Sequence, residues 1–272
     1  RRMSEIEDDL EIEVRQFVGQ IATSPAGRGY ARWHRNVCIG VHNLEQTAAQ
    51  YIVDRISLLA AEVGLTPGEP GCDPGVIVIF TTDGRELASR LVETEPLLFR
   101  PGMGQCCMNL SLAALDQFAQ SDRPVRWWHV SMPVDARTGK PAIVLSNNKS
   151  PDGRAYPLVN VAGPSAIHSG IRDDMRQVII IVDSTKLSGT TWEELGDYLG
   201  VVSLVPIDLD AKPAAFDSIL NLFSNPTAYT GLTDWDRSYV HALYDFDQER
   251  TPRMQASDLV SKMVRRELDS RD

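Results

Sequence analysis

Hydrophobic and polar positions along the chain change their spacing several times, and these changes indicate alternating helices and strands. Apolar side chains recur about every four residues from Ile6 to Ile21 within an acidic segment, which predicts an amphipathic lead-in helix. Val37 to His42 predicts a short strand. The apolar stripe from Ile52 to Val63 predicts the helix that follows, with Asn43 and Gln46 as its capping box.

Two continuous apolar runs, Val76–Phe80 and Val178–Val182, predict strands that are buried on both faces. Asp83 is a candidate cap for the helix after the first run. Strand–helix–strand–helix order favours an α/β fold with parallel strands and right-handed crossovers. Val125 to Val134 predicts a further strand, with Ala142–Leu145 as its hairpin partner. Other helices are predicted at Leu110–Ala119, Trp192–Ser203 and Trp235–Tyr244.

Charge and composition exclude two classes of partner. The chain has 272 residues with 27 Lys and Arg against 37 Asp and Glu, a net charge of −10, and no cluster of basic residues. Nucleic acid is therefore not an expected partner. The longest apolar runs are five residues, as in Val76–Phe80, far short of a membrane span. The chain begins at Arg1 without an apolar signal region, so a signal segment is expected to be absent from the chain as given.

The segment after the second buried strand carries the most specific pattern. Glu193, Glu194, Asp197 and Gly200 begin a helix in the order E-E-L-G-D-Y-L-G. The segment resembles the active-site helix H-E-x-x-H-x-x-G of zincin metalloproteases, with both histidines replaced. The resemblance places Glu193 and Asp197 at two metal-ligand positions, on one helix face, and Glu194 at the general-base position. In the metzincin pattern Ser203 would stand at the third ligand position.

Two further stretches are similar to the same family. Asp217–Phe223 resembles the Met-turn beneath a metzincin zinc, with Leu220 in place of methionine, and Thr233–Tyr244 resembles the closing helix of serralysin-type enzymes. The resemblance implies a zincin-like mixed sheet, mainly parallel with an antiparallel edge strand, long helices packed on it and a loop-rich C-terminal subdomain. The expected divisions are a helical lead-in at 1–30, a zincin-like domain at 31–250 (sheet subdomain 31–203, C-terminal subdomain 204–250) and a C-terminal helix or tail at 251–272.

The replaced ligands change the expected chemistry. Imidazoles suit zinc, whereas a Glu193, Asp197 and Ser203 set would hold it poorly, so no cofactor is expected, with a divalent metal as the alternative. Thr191 and Glu194 also form a T-x-x-E capping box, which explains Glu194 without catalysis. We therefore expect a non-catalytic protein that binds a protein or peptide, like uncharacterised exported bacterial proteins with degenerate zincin-like cores. A metal-dependent hydrolase with a non-standard metal site and a structural subunit of a cell-envelope assembly remain as alternatives. The oligomeric state stays open.

The strand around Trp127, Trp128 and His129 is a candidate binding groove, because the corresponding zincin edge strand binds extended peptide. Trp127 and Trp128 point to opposite faces, and the alternative is that both are core residues.

Four cysteines and five histidines supply the remaining candidates. If their strands are parallel neighbours, Cys38 and Cys72 lie at the same end of the sheet and can form a disulfide, which would suit a periplasmic or secreted protein. Cys106 and Cys107 are adjacent and are expected to be free or paired elsewhere. The histidines (His34, His42, His129, His168 and His241) lack ligand spacing, and Ser165 lacks a nucleophile-elbow pattern.

Overall fold

The computed structural model describes residues 3–100, 110–149, 155–158 and 169–270. The helices are α1 (Met3–Ile21), α2 (Gln46–Glu62), α3 (Gly84–Thr94), α4 (Leu112–Gln120), α5 (Trp192–Leu204), α6 (Asp234–Asp245) and α7 (Pro252–Asp269). The strands are β1 (Asn36–Val37), β2 (Ile39–His42), β3 (Thr66–Pro67), β4 (Val76–Thr81), β5 (Val125–Asp135), β6 (Ile143–Lys149), β7 (Ala155–Leu158) and β8 (Ile171–Asp183).

The central sheet has four strands in the order β2-β4-β8-β5. β2, β4 and β8 are parallel, whereas β5 runs antiparallel to β8 along one edge. The predicted strands at Val76–Phe80 and Val178–Val182 are direct neighbours, with Val76 opposite Val178. The α/β class and the mainly parallel sheet with an antiparallel edge strand are thereby confirmed.

Helices cover both faces of this sheet, so the molecule has three layers. One face packs against α1, α2, α5, α6 and α7, and the other packs mainly against α3 and α4. Alternate residues of β5 enter the two cores: Trp127 belongs to the first and Trp128 to the second.

The lead-in helix is an integral part of the larger core. Its apolar stripe is buried, and Phe17 makes edge-to-face contacts with the rings of Phe216, Trp235 and Tyr239. α1 also packs against α7, so the first and last helices meet. Leu10, Val14, Phe17 and Ile21 are thus satisfied within this chain, whereas Ile6 and Ile12, nearer the start of α1, are exposed.

Two local predictions are wrong. The cap of α2 is Glu45, whose carboxylate accepts hydrogen bonds from the backbone N–H groups of Thr47 and Ala48, while Asn43 adopts a left-handed φ of 59°. Asparagine tolerates that conformation, so the chain turns once more before the helix begins. The second error concerns the hairpin partner of β5. Pro141 and Ala142 do contact β5, through a bridge to Val134 and a hydrogen bond from the Ala142 N–H to the Pro133 carbonyl, but the following strand, β6, pairs with β7.

A disulfide joins Cys38 to Cys72 with a Cα–Cα distance of 6.1 Å, as the sequence predicted. Cys38 lies between β1 and β2, and Cys72 precedes β4. The bond therefore joins the chain segments that lead into two neighbouring parallel strands, β2 and β4. A Cβ at Gly68 would collide with the Cys72 sulfur, which explains the glycine there. Cys106 and Cys107 lie outside the described residues. Within the described part of the chain, no helix has the length and apolar character needed to cross a membrane.

Candidate functional site

The start of α5 uses Glu194 as a helix cap. The Glu194 N–H donates to Thr191 Oγ1 at 3.2 Å, and the Thr191 N–H donates to Glu194 Oε2 at 2.8 Å. This reciprocal pair satisfies two backbone donors that the helix itself leaves free. The Glu194 carboxylate is largely buried in that role, as the T-x-x-E pattern predicted.

An arginine from α2 pairs with both carboxylates at the resemblance's ligand positions. Arg55 donates to Asp197 Oδ1 through Nε at 3.0 Å and also through Nη2, and its Nη1 lies 3.4 Å from Glu193 Oε1. Asp197 Oδ2 accepts the backbone N–H of Leu232 at 2.9 Å. Burial by itself would lower the pKa of Arg55, but its hydrogen bond to Asp197 and the charge of that carboxylate outweigh burial and raise the pKa.

Two glycines on α5 bring this helix close to α2. A Cβ at Gly196 would lie 3.0 Å from Arg55 Cβ, and one at Gly200 would lie 3.1 Å from Leu59 Cδ2. α5 continues to Leu204, so Gly200 lies inside the helix, and its role in the structure is close helix packing. Ser203 is fully buried, and its Oγ has no hydrogen-bond partner among the described residues.

The other two stretches of the resemblance are joined by one buried carboxylate. Asp236, near the start of α6, accepts hydrogen bonds from Ser218 Oγ at 2.6 Å, the Ile219 N–H at 2.7 Å and Thr233 Oγ1 at 2.9 Å. Burial raises the pKa of Asp236, and these hydrogen bonds oppose the increase. The Asp236 carboxylate thereby connects the 3₁₀ turn at Ile219–Asn221 to α6. Asp197 connects α5 to Leu232, just before the start of α6.

Both tryptophans of the predicted groove are core residues. Trp127 and Trp128 are 1% and 0% exposed, and their indole N–H groups donate to the carbonyls of Ile207 and Phe99 at 2.9 and 3.0 Å. The two indoles therefore do not form the surface of a peptide-binding groove, contrary to the prediction. The core alternative accounts for both, because opposite faces of β5 meet two apolar layers.

His129 is held against α5. Its Nε2 lies 2.7 Å from the carbonyl oxygen of Val202, the geometry of a neutral imidazole that donates its proton. Burial lowers the pKa of His129 to about 4, although the hydrogen bond to Val202 opposes that shift. The side chain is therefore a neutral structural donor near pH 7.

Acidification is expected to destabilise the fold through His129. The unfolded chain binds a proton near the ordinary value of 6.5 and the folded chain only near 4, so stability is lost as pH falls through that interval. Between pH 7.5 and pH 5 the loss from this group is about 2 kcal/mol, measured by urea denaturation.

The His129→Gln variant is the test of this assignment, because glutamine can still donate to Val202 and does not titrate. Its stability should change less with pH than that of the wild type, whereas His42→Gln, at an exposed position, should leave the dependence unchanged. Equal pH dependence in the wild type and His129→Gln would contradict the prediction.

The remaining candidates do not form a site within the described structure. Among the described residues, no three or more His, Cys, Asp or Glu side chains are grouped so that they could hold a metal ion. Ser165, His168, Cys106 and Cys107 lie outside those residues. Arg55 was missed by sequence reasoning, because its partner Asp197 is 142 residues away and no local pattern connects them.

No protein-family model, curated protein or solved structure matches this chain. The class that the structure defines is therefore an α/β protein with a mainly parallel sheet, an antiparallel edge strand and helices on both faces.

Proposed function

We propose that this chain is a non-catalytic, zincin-like protein that acts by binding a protein or peptide partner. The observation that carries the proposal is the position of Arg55, whose guanidinium contacts Glu193 and Asp197, the two residues at ligand positions of the resemblance. The single positive charge of Arg55 compensates the buried Asp197 carboxylate and contacts one oxygen of the half-exposed Glu193. A metal ion held by both carboxylates would have to displace Arg55 from Asp197.

The other positions of the resemblance also have structural roles. Glu194 accepts a backbone N–H at the start of α5, and Ser203 is sealed in the core. Without a metal to lower the pKa of a bound water, a carboxylate at the general-base position has no activated nucleophile to assist. The contacts among α5, the Ile219–Asn221 turn and α6 support retention of the scaffold implied by the resemblance.

The disulfide supports export as part of this proposal. Bonds such as Cys38–Cys72 persist in the periplasm and outside the cell, whereas cytosolic thiols are kept reduced. A binding role is also supported by an open cavity beside the start of β5, whose partly exposed wall includes Arg123 and Leu209. The alternative of an envelope subunit is suggested by the amphipathic lead-in helix, but most of the apolar face of α1 packs within the chain, and Ile6 and Ile12 are its exposed apolar residues.

Two substitutions of Glu194 distinguish a structural residue from a catalytic one. Glu194→Gln retains an oxygen that can accept the Thr191 N–H, so its stability should stay close to that of the wild type. Glu194→Ala removes the acceptor and should cost about 1 kcal/mol in the free energy of unfolding. Chemical denaturation measures both effects.

Metal content and peptide hydrolysis are measured on the same proteins, purified without chelator. We expect no stoichiometric metal and no hydrolysis by the wild type, with or without added Zn²⁺, Mn²⁺ or Ca²⁺. About one equivalent of tightly bound transition metal, with hydrolysis that Glu194→Gln abolishes, would overturn the proposal and favour the metal-dependent hydrolase.

A further inference from the structure

Two open cavities lie on either side of Arg123 and Lys212, and together they form what we call the Arg123 groove. The first, of about 250 Å³, lies between the end of α4, the start of β5 and residues 209–212. The second, of about 340 Å³, lies between the start of β5, α5 and the turn at 220–224. The partly exposed apolar side chains of their walls are Leu209 in the first and Phe223 in the second, and the buried rings of Trp127 and Tyr198 lie behind them.

Arg123 is fixed in place by neutral acceptors. Its Nη1 and Nη2 donate to the carbonyl oxygens of Leu209 and Ala211 at 2.7 and 2.8 Å, and its Cζ lies 5.6 Å from the centre of the Trp127 ring. These contacts orient the guanidinium without neutralising it. Among the described residues, neither Arg123 nor Lys212 has a carboxylate within ion-pair distance.

Arg126 adds a third positive charge to the wall of the first cavity. It is only 2% exposed, its Nη1 donates to the Ala119 carbonyl at 3.3 Å, and its Nε has no hydrogen-bond partner in the described part of the chain. Burial lowers the pKa of Arg126, and the charges of Asp183 and Asp122 oppose that shift from beyond ion-pair distance. A buried guanidinium without a paired carboxylate is costly, and an incoming anion would reduce that cost.

The acidic residues around the groove do not balance these cations. Asp122 lines the second cavity but is bound to Lys186, 2.6 Å away, and Asp210 at the first cavity is exposed to solvent. The two cavities are therefore lined by three cations, and Asp210 is the one lining carboxylate without an ion-pair partner among the described residues. The chain as a whole has a net charge of −10.

We propose that the Arg123 groove binds a polypeptide segment in which a carboxylate is flanked by apolar side chains. Arg123 and Lys212 would receive the carboxylate at the centre, since guanidinium and ammonium groups are its ordinary partners. The apolar walls of the two cavities would receive the side chains before and after it. This inference rests on the proposed binding function and specifies the ligand's chemistry.

The test uses pools of acetylated, amidated heptapeptides with a central glutamate, leucine, isoleucine, valine or phenylalanine around it, and serine and glycine at the ends. A second pool replaces the glutamate with glutamine. A third has the glutamine and a free terminal carboxylate. Calorimetric titration of the full chain should show about tenfold tighter binding of the glutamate pool than of the glutamine pool.

Lys212→Glu should abolish this preference, while Lys140→Glu, which makes the same charge change at an exposed turn after β5, should preserve it. A Lys212-dependent preference for the third pool instead would also support the groove and identify a chain terminus as the carboxylate. Equal binding of all pools, or equal loss in both variants, would overturn the inference while leaving peptide binding intact. Absence of binding by every pool would also overturn the inference. The metal and hydrolysis measurements on the Glu194 variants do not depend on this result, and they test separately whether the protein is non-catalytic.

Discussion

Arg28→Ala is expected to lower the free energy of unfolding by about 3–5 kcal/mol, because it leaves a buried carboxylate without its cation. Arg28 donates to Asp173 Oδ1 through Nε at 2.6 Å and through Nη2, and to Ser131 Oγ at 3.0 Å. Asp173, on β8, is 2% exposed. Urea denaturation at pH 7 measures the loss.

The pH dependence of this variant tests the cause. Burial raises the pKa of Asp173, and the charge of Arg28 opposes that increase, so removing Arg28 lets the carboxyl protonate more easily. The stability difference between wild type and Arg28→Ala should therefore shrink as pH falls. Arg15→Ala is the matched control, because Arg15 pairs with Glu11 on an exposed face and should contribute less than about 1 kcal/mol. Similar losses in the two variants would contradict the prediction.

Replacing both Cys38 and Cys72 with serine is expected to cost about 3–4 kcal/mol, because the disulfide restricts a loop between residues 34 apart in the unfolded chain. The bond also holds the segment before β4 against the end of β1. The loss should appear as a lower denaturant midpoint under non-reducing conditions.

A reductant provides the internal control for this prediction. It should destabilise the wild type by a similar amount and leave the double serine variant unchanged, because the bond is already absent there. Cys106 and Cys107 remain in both proteins, so any effect of reductant on them would appear in the variant as well. Equal sensitivity of the two proteins to reductant would show that the Cys38–Cys72 bond does not carry the stabilisation.

The short-range features of the fold could be predicted from local sequence patterns. The apolar runs around Val76 and Val178 predicted two buried strands, and the Thr191–Glu194 pattern predicted the capping box. Both succeed because burial on two faces and helix capping depend on residues that are close together in the chain. The cap at Glu45 was missed because Asn43 and Glu45 are both polar residues before the helix, and the left-handed backbone of Asn43 moves the start of the helix to Glu45.

The candidate site divides in the same way. The sequence by itself determined which residues, Glu193, Asp197 and Ser203, the zincin resemblance compares with metal ligands, and that Cys38 and Cys72 could pair. Only the tertiary structure decided that Arg55 pairs with Asp197 and contacts Glu193, that Trp127 and Trp128 are buried, and that Arg123 and Lys212 line the same two cavities. Those contacts join distant parts of the chain, and their energies come from burial and charge pairing that no local pattern records.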